Sequence, residues 1–297
     1  MTKFPTLKMK KMLATALISS AVALVSKEDV LAQAATRFYK ASDFTTVGKP
    51  LPTKNLYHRI DTAAFPGIPG QVKRLLTNSA GLAVTFKTNS SKISAKWCTA
   101  PRKPTANMTA IAYEGIDLYI KKNGKWVFAG VGRPSASKDC SEDVLVSNLD
   151  DSEKECLVYF PLYDEVINPE IGVDDNARIS SNADPFRKRV VIYGSSIVQG
   201  ASATRPGLAY PALLSRQTEI NFLNLGVSGS AKMEKEVADM VSSIPADAYI
   251  LDCVANSSPE QVTERPAYLV KKIRADHPKA PIIMIQSIVR QHGFWDM

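Results

Sequence analysis

Arg189-Val190-Val191-Ile192-Tyr193-Gly194-Ser195-Ser196-Ile197-Val198-Gln199-Gly200 sets a short apolar run directly before a Gly-Ser-Ser turn. Val190, Val191, Ile192 and Tyr193 suit a strand covered on both faces. Gly194 and Gly200 bracket the turn, where a residue without Cβ accepts sharp backbone angles and lets a substrate come close. A serine at that tip faces solvent yet is anchored by the sheet, as a nucleophile requires. The same residues also suit an ordinary strand-to-helix loop capped by serines. This stretch alone does not decide between the two.

Two later apolar runs bear on the choice. Ile220 to Leu225 ends in Gly226-Val227-Ser228-Gly229, and Ala248 to Leu251 ends in Asp252-Cys253-Val254-Ala255-Asn256. Three successive strands thus deliver a serine, a glycine and an asparagine at their C-terminal ends, the edge where open parallel sheets bind ligands. A hydroxyl, a backbone N–H and a side-chain amide converging there make a nucleophile with part of an oxyanion hole.

With these residues the chain resembles the SGNH (GDSL-type) hydrolases, whose four sequence blocks carry Ser, Gly, Asn and His. Gly194-Ser195-Ser196-Ile197-Val198-Gln199-Gly200 resembles block one, with Ser195 where the family usually has Asp. Asn224-Leu225-Gly226-Val227-Ser228-Gly229 resembles block two. Ala255-Asn256 resembles block three in an altered Gly-x-Asn-Asp context, flanked by Ala255 and Ser257. The resemblance implies that Ser196 attacks an ester carbonyl. The oxyanion would be held by the N–H groups of Ser196 and Gly229 and the amide of Asn256. Arg205, in the loop after the nucleophile turn, is a candidate substrate-binding residue that could contact a sugar hydroxyl or carboxylate; the competing reading is a surface arginine satisfying carbonyls.

The fourth block, Asp-x-x-His, finds no match. From Arg189 to Met297 there are 109 residues, whereas a doubly wound domain usually takes roughly 150. The pattern reads strand 189–193, helix near 208–217, strand 220–225, helix near 232–243, strand 248–252, helix 259–275 and strand 281–286. The expectation is a flavodoxin-like, doubly wound parallel-sheet α/β domain over 188–297 that is incomplete. His277 falls between a helix end and a strand start, on the edge opposite Ser196, and reads as a helix C-terminal cation. His58 reads as a surface or interface residue of another domain. His292 follows the last strand and emerges on the Ser196 edge, the only in-chain candidate for a base, although a tail residue or a substrate contact is the expected reading.

At the other end, Lys3, Lys8, Lys10 and Lys11 precede an apolar run from Met12 to Val25 and then Leu31-Ala32-Gln33-Ala34. A basic stretch, a short apolar stretch and an Ala-x-Ala site compose a secretory signal peptide over 1–34. The run is short of the ~20 residues of a membrane span, so a secreted or periplasmic protein with no membrane span is expected. The formal net charge is +8. Without 1–34, which holds five lysines against Glu28 and Asp29, it is +5, a mild excess that is only weak evidence for nucleic acid binding, and no nucleic acid partner is expected. Cys98, Cys140, Cys156 and Cys253 permit a disulfide in an exported chain without demanding one. Cys253 reads as a small apolar core residue, and no pair has metal-ligand spacing.

Between about Thr36 and Pro185 the period changes to two. Leu82, Val84 and Phe86 alternate with polar partners, Asn89-Ser90-Ser91 turns the chain, and Ile93, Ala95 and Trp97 alternate back. Leu118-Tyr119-Ile120 and Trp126-Val127-Phe128 flank Lys122-Asn123-Gly124-Lys125, a hairpin signal because Asn-Gly accepts the positive φ of a type I′ turn. The region 36–185 reads as an all-β, jelly-roll-like sandwich of two sheets. Gly115-Ile116-Asp117-Leu118-Tyr119 resembles the Gly-x-Asp-Leu-Tyr motif of a domain that precedes SGNH hydrolases, and Phe160-Pro161-Leu162-Tyr163 resembles another part of it. That pairing is similar to bacterial carbohydrate esterases. It implies a carbohydrate O-acyl esterase acting on a small-molecule or glycan ester, with no cofactor and no metal. The alternative is a non-catalytic carbohydrate-binding protein or an inactive fragment. Trp97, Tyr113, Tyr119 and Trp126 would offer sugar-stacking faces, although aromatics at strand spacing are more often core.

Overall fold

The computed structural model describes residues 35–101, 105–287 and 295. The expected signal peptide and His292 lie outside the described residues. No helix among the described residues is long and apolar enough to cross a membrane.

Ten strands come first: β1 (Thr36–Lys40), β2 (Thr45–Val47), β3 (Ala83–Thr88), β4 (Ile93–Thr99), β5 (Ile116–Lys122), β6 (Lys125–Gly132), β7 (Cys140–Val146), β8 (Lys154–Tyr159), β9 (Val166–Asp174) and β10 (Ile179–Ser181). Helices α1 (Gly70–Leu76) and α2 (Ala110–Glu114) interrupt them. The strands form two antiparallel sheets, β1-β9-β4-β7 and β10-β3-β8-β5-β6, with β2 also paired to β3. The β5–β6 turn places Asn123 at φ 51° and Gly124 at φ 75°, the two positive angles that the Asn-Gly pair predicts. Cys98 and Cys140 sit opposite each other on β4 and β7 and are joined as a disulfide. Cys156 and Cys253 are free and buried. Closing a 42-residue separation should stabilise the fold by ~2–4 kcal/mol. The Cys98→Ser/Cys140→Ser double variant is therefore expected to melt several degrees lower, as read by circular dichroism.

The period-two pattern explains how the larger sheet is used. Val84 and Phe86 of β3, Leu118 of β5 and Cys156 and Val158 of β8 point into the sandwich core with Ile93, Ala95 and Trp97 of β4. The intervening Ala83, Tyr119, Leu157 and Tyr159 are buried too, on the outer face, against Phe186 and Ala212. Both faces are therefore covered. Tyr119 is therefore core on the outer face. Trp97 of the smaller sheet faces the sandwich core, and Tyr113 of α2 packs with Met108 and Leu162. None of the three offers a sugar-stacking face, the Trp97 indole donating to the Glu114 carbonyl at 2.8 Å.

The second half builds a parallel sheet from β11 (Arg189–Gly194), β12 (Asn221–Gly226), β13 (Ala248–Asp252) and β14 (Ile282–Met284), in the order β12-β11-β13-β14. Between them run α3 (Ser196–Gln199), α4 (Tyr210–Thr218), α5 (Lys235–Ser242), α6 (Pro259–Glu264) and α7 (Pro266–Asp276). Val191, Leu223 and Tyr249 share one level of the sheet, and Tyr193, Leu225 and Leu251 the next. All six face a core completed by Val237 and Met240 of α5 and Leu269 and Ile273 of α7. Ile60, Ile68, Val72, Leu75 and Leu76 join that same core, although the sequence reading assigns them to the sandwich region.

Two elements differ from expectation. The predicted helix 259–275 is two helices, because Pro266 has no N–H for the carbonyl four residues earlier and starts a new helix instead. The last strand covers three residues rather than 281–286, and Ile283, Met284 and Ile285 are exposed at the sheet edge.

The outer face of the larger sheet carries one buried charge. Asp117, the Asp of Gly-x-Asp-Leu-Tyr, accepts from Gly207 N–H at 2.9 Å. Arg205 Nε lies 3.3 Å from its other oxygen, close enough for charge attraction though not aligned as a hydrogen bond. Burial pushes the Asp117 carboxyl up to about 6, outweighing Gly207 N–H, Arg216, Arg205 and Tyr119, which all favour ionisation. The native state therefore keeps a proton that the unfolded chain releases near pH 3.8. Between about pH 4 and 6 this group makes stability fall as pH rises, by about 3 kcal/mol in all. Asp117→Asn is expected to flatten melting temperature against pH across that window; an unchanged slope would refute the assignment.

Candidate active site

β11 ends at Gly194, and the chain turns at once into α3. Ser195 is the N-cap of that helix: it is buried, and its hydroxyl accepts from Ile197 N–H at 3.3 Å. Ser196 is the first helical residue and is only partly buried. A cap hydroxyl is committed to the helix end, so of the two serines the sequence places at the turn, Ser196 has the free side chain. Its N–H, at a helix start that lacks an intrahelical acceptor, has no hydrogen-bond partner among the described residues.

The block-two turn packs directly on α3. Gly226 lies so close to the helix that an added Cβ would stand 2.0 Å from Gln199 N and 2.6 Å from the Val198 carbonyl carbon. Buried Asn224 ties the two together, donating to the Val198 carbonyl at 2.8 Å and accepting from Gly226 N–H at 2.9 Å. Val227 N–H donates to the Gly194 carbonyl at 2.9 Å, and Ser228 N–H to the Gln199 side chain at 2.9 Å. Gly229 follows with φ +65° and an exposed backbone. Its N–H, like that of Ser196, has no partner among the described residues.

Block three joins through β13. The Asp252 carbonyl accepts from Ser195 N–H at 3.3 Å, and the Asp252 carboxylate from the Tyr210 hydroxyl at 2.9 Å. Asn256 is half-buried, and its amide donates to the Ser230 carbonyl at 3.0 Å, one of the two N–H bonds it can make. Ser196, Gly229 and Asn256 are thus linked through neighbouring backbone at one sheet edge.

The other sequence candidates fall elsewhere. Arg205 is held beside Asp117, with its guanidinium 4.0 Å from the Phe128 ring centre; with Trp126 and Arg216 it borders a 750 Å³ cleft at the β6–α4 flank. His277 caps α7, bonded to the Ser242 carbonyl at 2.7 Å under Tyr249, at the opposite edge of the sheet from Ser196. His58 is paired with Glu165 at 2.6 Å. Burial pushes the Cys253 thiol up to about 12, which leaves it an inert core group. Among the described residues no three His, Cys, Asp or Glu side chains gather as metal ligands. Gln199 lies within the block-one stretch but takes no role from it, and Arg59, also buried under the turn, carries no motif that sequence reasoning could have used.

The segment just before α2 also touches the site. Met108 Sδ accepts from Ser202 N–H, and Thr109 donates to the Thr204 carbonyl at 2.7 Å, so the first half of the chain clasps the loop that follows Ser196.

A family model described as GDSL-like lipase/acylhydrolase matches residues 187–297, and one described as GxDLY, the N-terminus of SGNH-hydrolase-type esterases, matches 36–179. A crystal structure from Bacteroides ovatus, of a protein described as a GDSL-like lipase by assignment, is 50% identical, covering 88% of this chain and 77% of that one, with a TM-score of 0.86. The chain belongs to the GDSL-like lipase/acylhydrolase family. No curated protein matches it. Two further solved structures share the fold of this GDSL-like chain at low identity. A salicylyl-acyltransferase of a tetracycline biosynthetic pathway is 18% identical, with a TM-score of 0.66, covering 83% of this chain and 71% of that one. A family two carbohydrate esterase from Cellvibrio japonicus is 12% identical, with a TM-score of 0.55, covering 88% and 82%.

Proposed function

We propose that this protein is an exported serine esterase that removes O-acyl groups, acetyl foremost, from carbohydrate. The observation that carries the reading is the pair of amides, Ser196 N–H and Gly229 N–H, that have no partner among the described residues, on two loops cross-linked by hydrogen bonds beside the Ser196 hydroxyl. Ser196 Oγ attacks the ester carbonyl, its proton passes to a base, and the carbonyl oxygen becomes an oxyanion. The two amides and the second N–H of Asn256 stabilise that oxygen. Collapse expels the sugar alcohol, and water then releases the acyl group from Ser196. Neither His277, at the far edge, nor His58, committed to Glu165, suits the role of base; His292 is the in-chain residue to mutate first. A glycan substrate is supported by the shared fold with a carbohydrate esterase. Export is supported by residues 1–34 and by a disulfide, which suits an oxidising compartment.

The test measures acetate release from an acetylated xylo-oligosaccharide and p-nitrophenol release from p-nitrophenyl acetate, for the protein and for Ser196→Ala. Turnover of both that vanishes in the variant is expected. Turnover that survives Ser196→Ala, or none on any acyl ester, would overturn the reading.

A further inference from the structure

Arg59 is fully buried, yet it lies outside every motif of the chain. Its guanidinium donates to the carbonyls of Asn78 (3.0 Å), Leu75 (2.6 Å), Asn224 (3.0 Å) and Gly226 (2.8 Å). No carboxylate pairs with it within 4 Å among the described residues. Burial draws its pKa down to about 9, so it stays charged at neutral pH. A charge without a counter-ion is costly to bury, and here four peptide carbonyls compensate it.

One of those carbonyls, that of Gly226, heads a chain of aligned bonds. Arg59 donates to the Gly226 carbonyl; Val227 N–H, on the same peptide, donates to the Gly194 carbonyl; Ser195 N–H, on that next peptide, donates to the Asp252 carbonyl. The relay crosses β12, β11 and β13 at their C-terminal ends and passes through the peptides just before Ser196 and just before the Gly229 turn. Dipoles in such a row reinforce one another, and a cation at the carbonyl end polarises each in turn.

We infer that Arg59 is a positioning residue for acyl transfer: its guanidinium fixes the Gly226–Val227 and Gly194–Ser195 peptide planes and so aims the Ser196 and Gly229 amides at one point. The inference rests on the proposed role of those amides. The competing role is purely structural, a tie between residues 59–78 and the sheet.

The test compares the full chain with Arg59→Met and Arg59→Lys. Amide hydrogen exchange is read by mass spectrometry on peptides covering 194–200, 226–230 and, as a control, α5. The second-order rate of Ser196 labelling by a fluorophosphonate is measured alongside. Arg59→Met is expected to speed exchange at 194–200 and 226–230 at least tenfold while α5 is unchanged, and to slow labelling about 100-fold, the loss expected when an oxyanion donor is misplaced. Arg59→Lys keeps the charge and reach to the Gly226 carbonyl, and should fall between the two. If Arg59→Met does not fold, Arg59→Lys decides by the same two readouts. Folded variants that exchange and label as the parent does would overturn the inference. Exchange needs no turnover, so a parent that fails to label counts against the Ser196 reading and leaves exchange to judge Arg59.

Discussion

Replacing Ser196 with alanine is expected to abolish covalent labelling by a fluorophosphonate and to lower ester turnover by ~10⁴-fold or more, because removing the nucleophile leaves only binding and the oxyanion donors. Its neighbour should behave differently. Ser195→Ala removes the α3 N-cap, which costs about 1 kcal/mol, but leaves the hydroxyl of Ser196 in place. Labelling of Ser195→Ala within tenfold of the parent is therefore expected, with the adduct mapped to the Ser196 position. An adduct on Ser195 would refute the assignment of the two serines.

The other large effect concerns Gly226. An alanine Cβ there meets backbone, Gln199 N at 2.0 Å and Val198 C at 2.6 Å, and neither can swing aside as a side-chain tip would. Either α3 leaves the turn or β12 shifts. Gly226→Ala is expected to lose several kcal/mol, overpacking at its most severe, from a margin of roughly 5–15, and to lose labelling with it. Gly229→Ala supplies the contrast. The space there is open, with only Gln71 Nε2 at 3.5 Å, but φ is +65°, a strain of about 1–2 kcal/mol for a residue with Cβ. That variant should melt near the parent yet label slowly. Equal melting temperatures for the two alanine variants would contradict the packing argument.

Strand position was legible where burial and period agree. β13 occupies Ala248–Asp252 as its apolar run predicts, and β11 runs one residue past its predicted end to the glycine that starts the turn. Ser195 and Ser196 were separable only through resemblance, since both suit a turn; the structure adds the physical difference, a cap hydroxyl against a free one. Arg205 reads as a loop arginine because nothing near it in sequence is acidic, and its partner Asp117 comes from β5. Tyr119 reads as a candidate sugar-stacking face because alternation reports one covered face, and only tertiary packing shows that the larger sheet has two. Arg59 was invisible for a related reason: its four close partners are backbone carbonyls, which leave no mark on residue identity.

Ile60 to Leu76 completing the core of the parallel sheet has a bearing on how such proteins can be rearranged. A module that evolution or an engineer can transplant needs a surface it can leave behind intact. Cutting near residue 186 would strip Val72, Leu75 and Leu76 from the parallel sheet and Ala212 from the larger antiparallel one, exposing apolar surface on both pieces. Gene fusions that exchange the front half for another domain should therefore yield insoluble protein unless residues 59–78 travel with the back half.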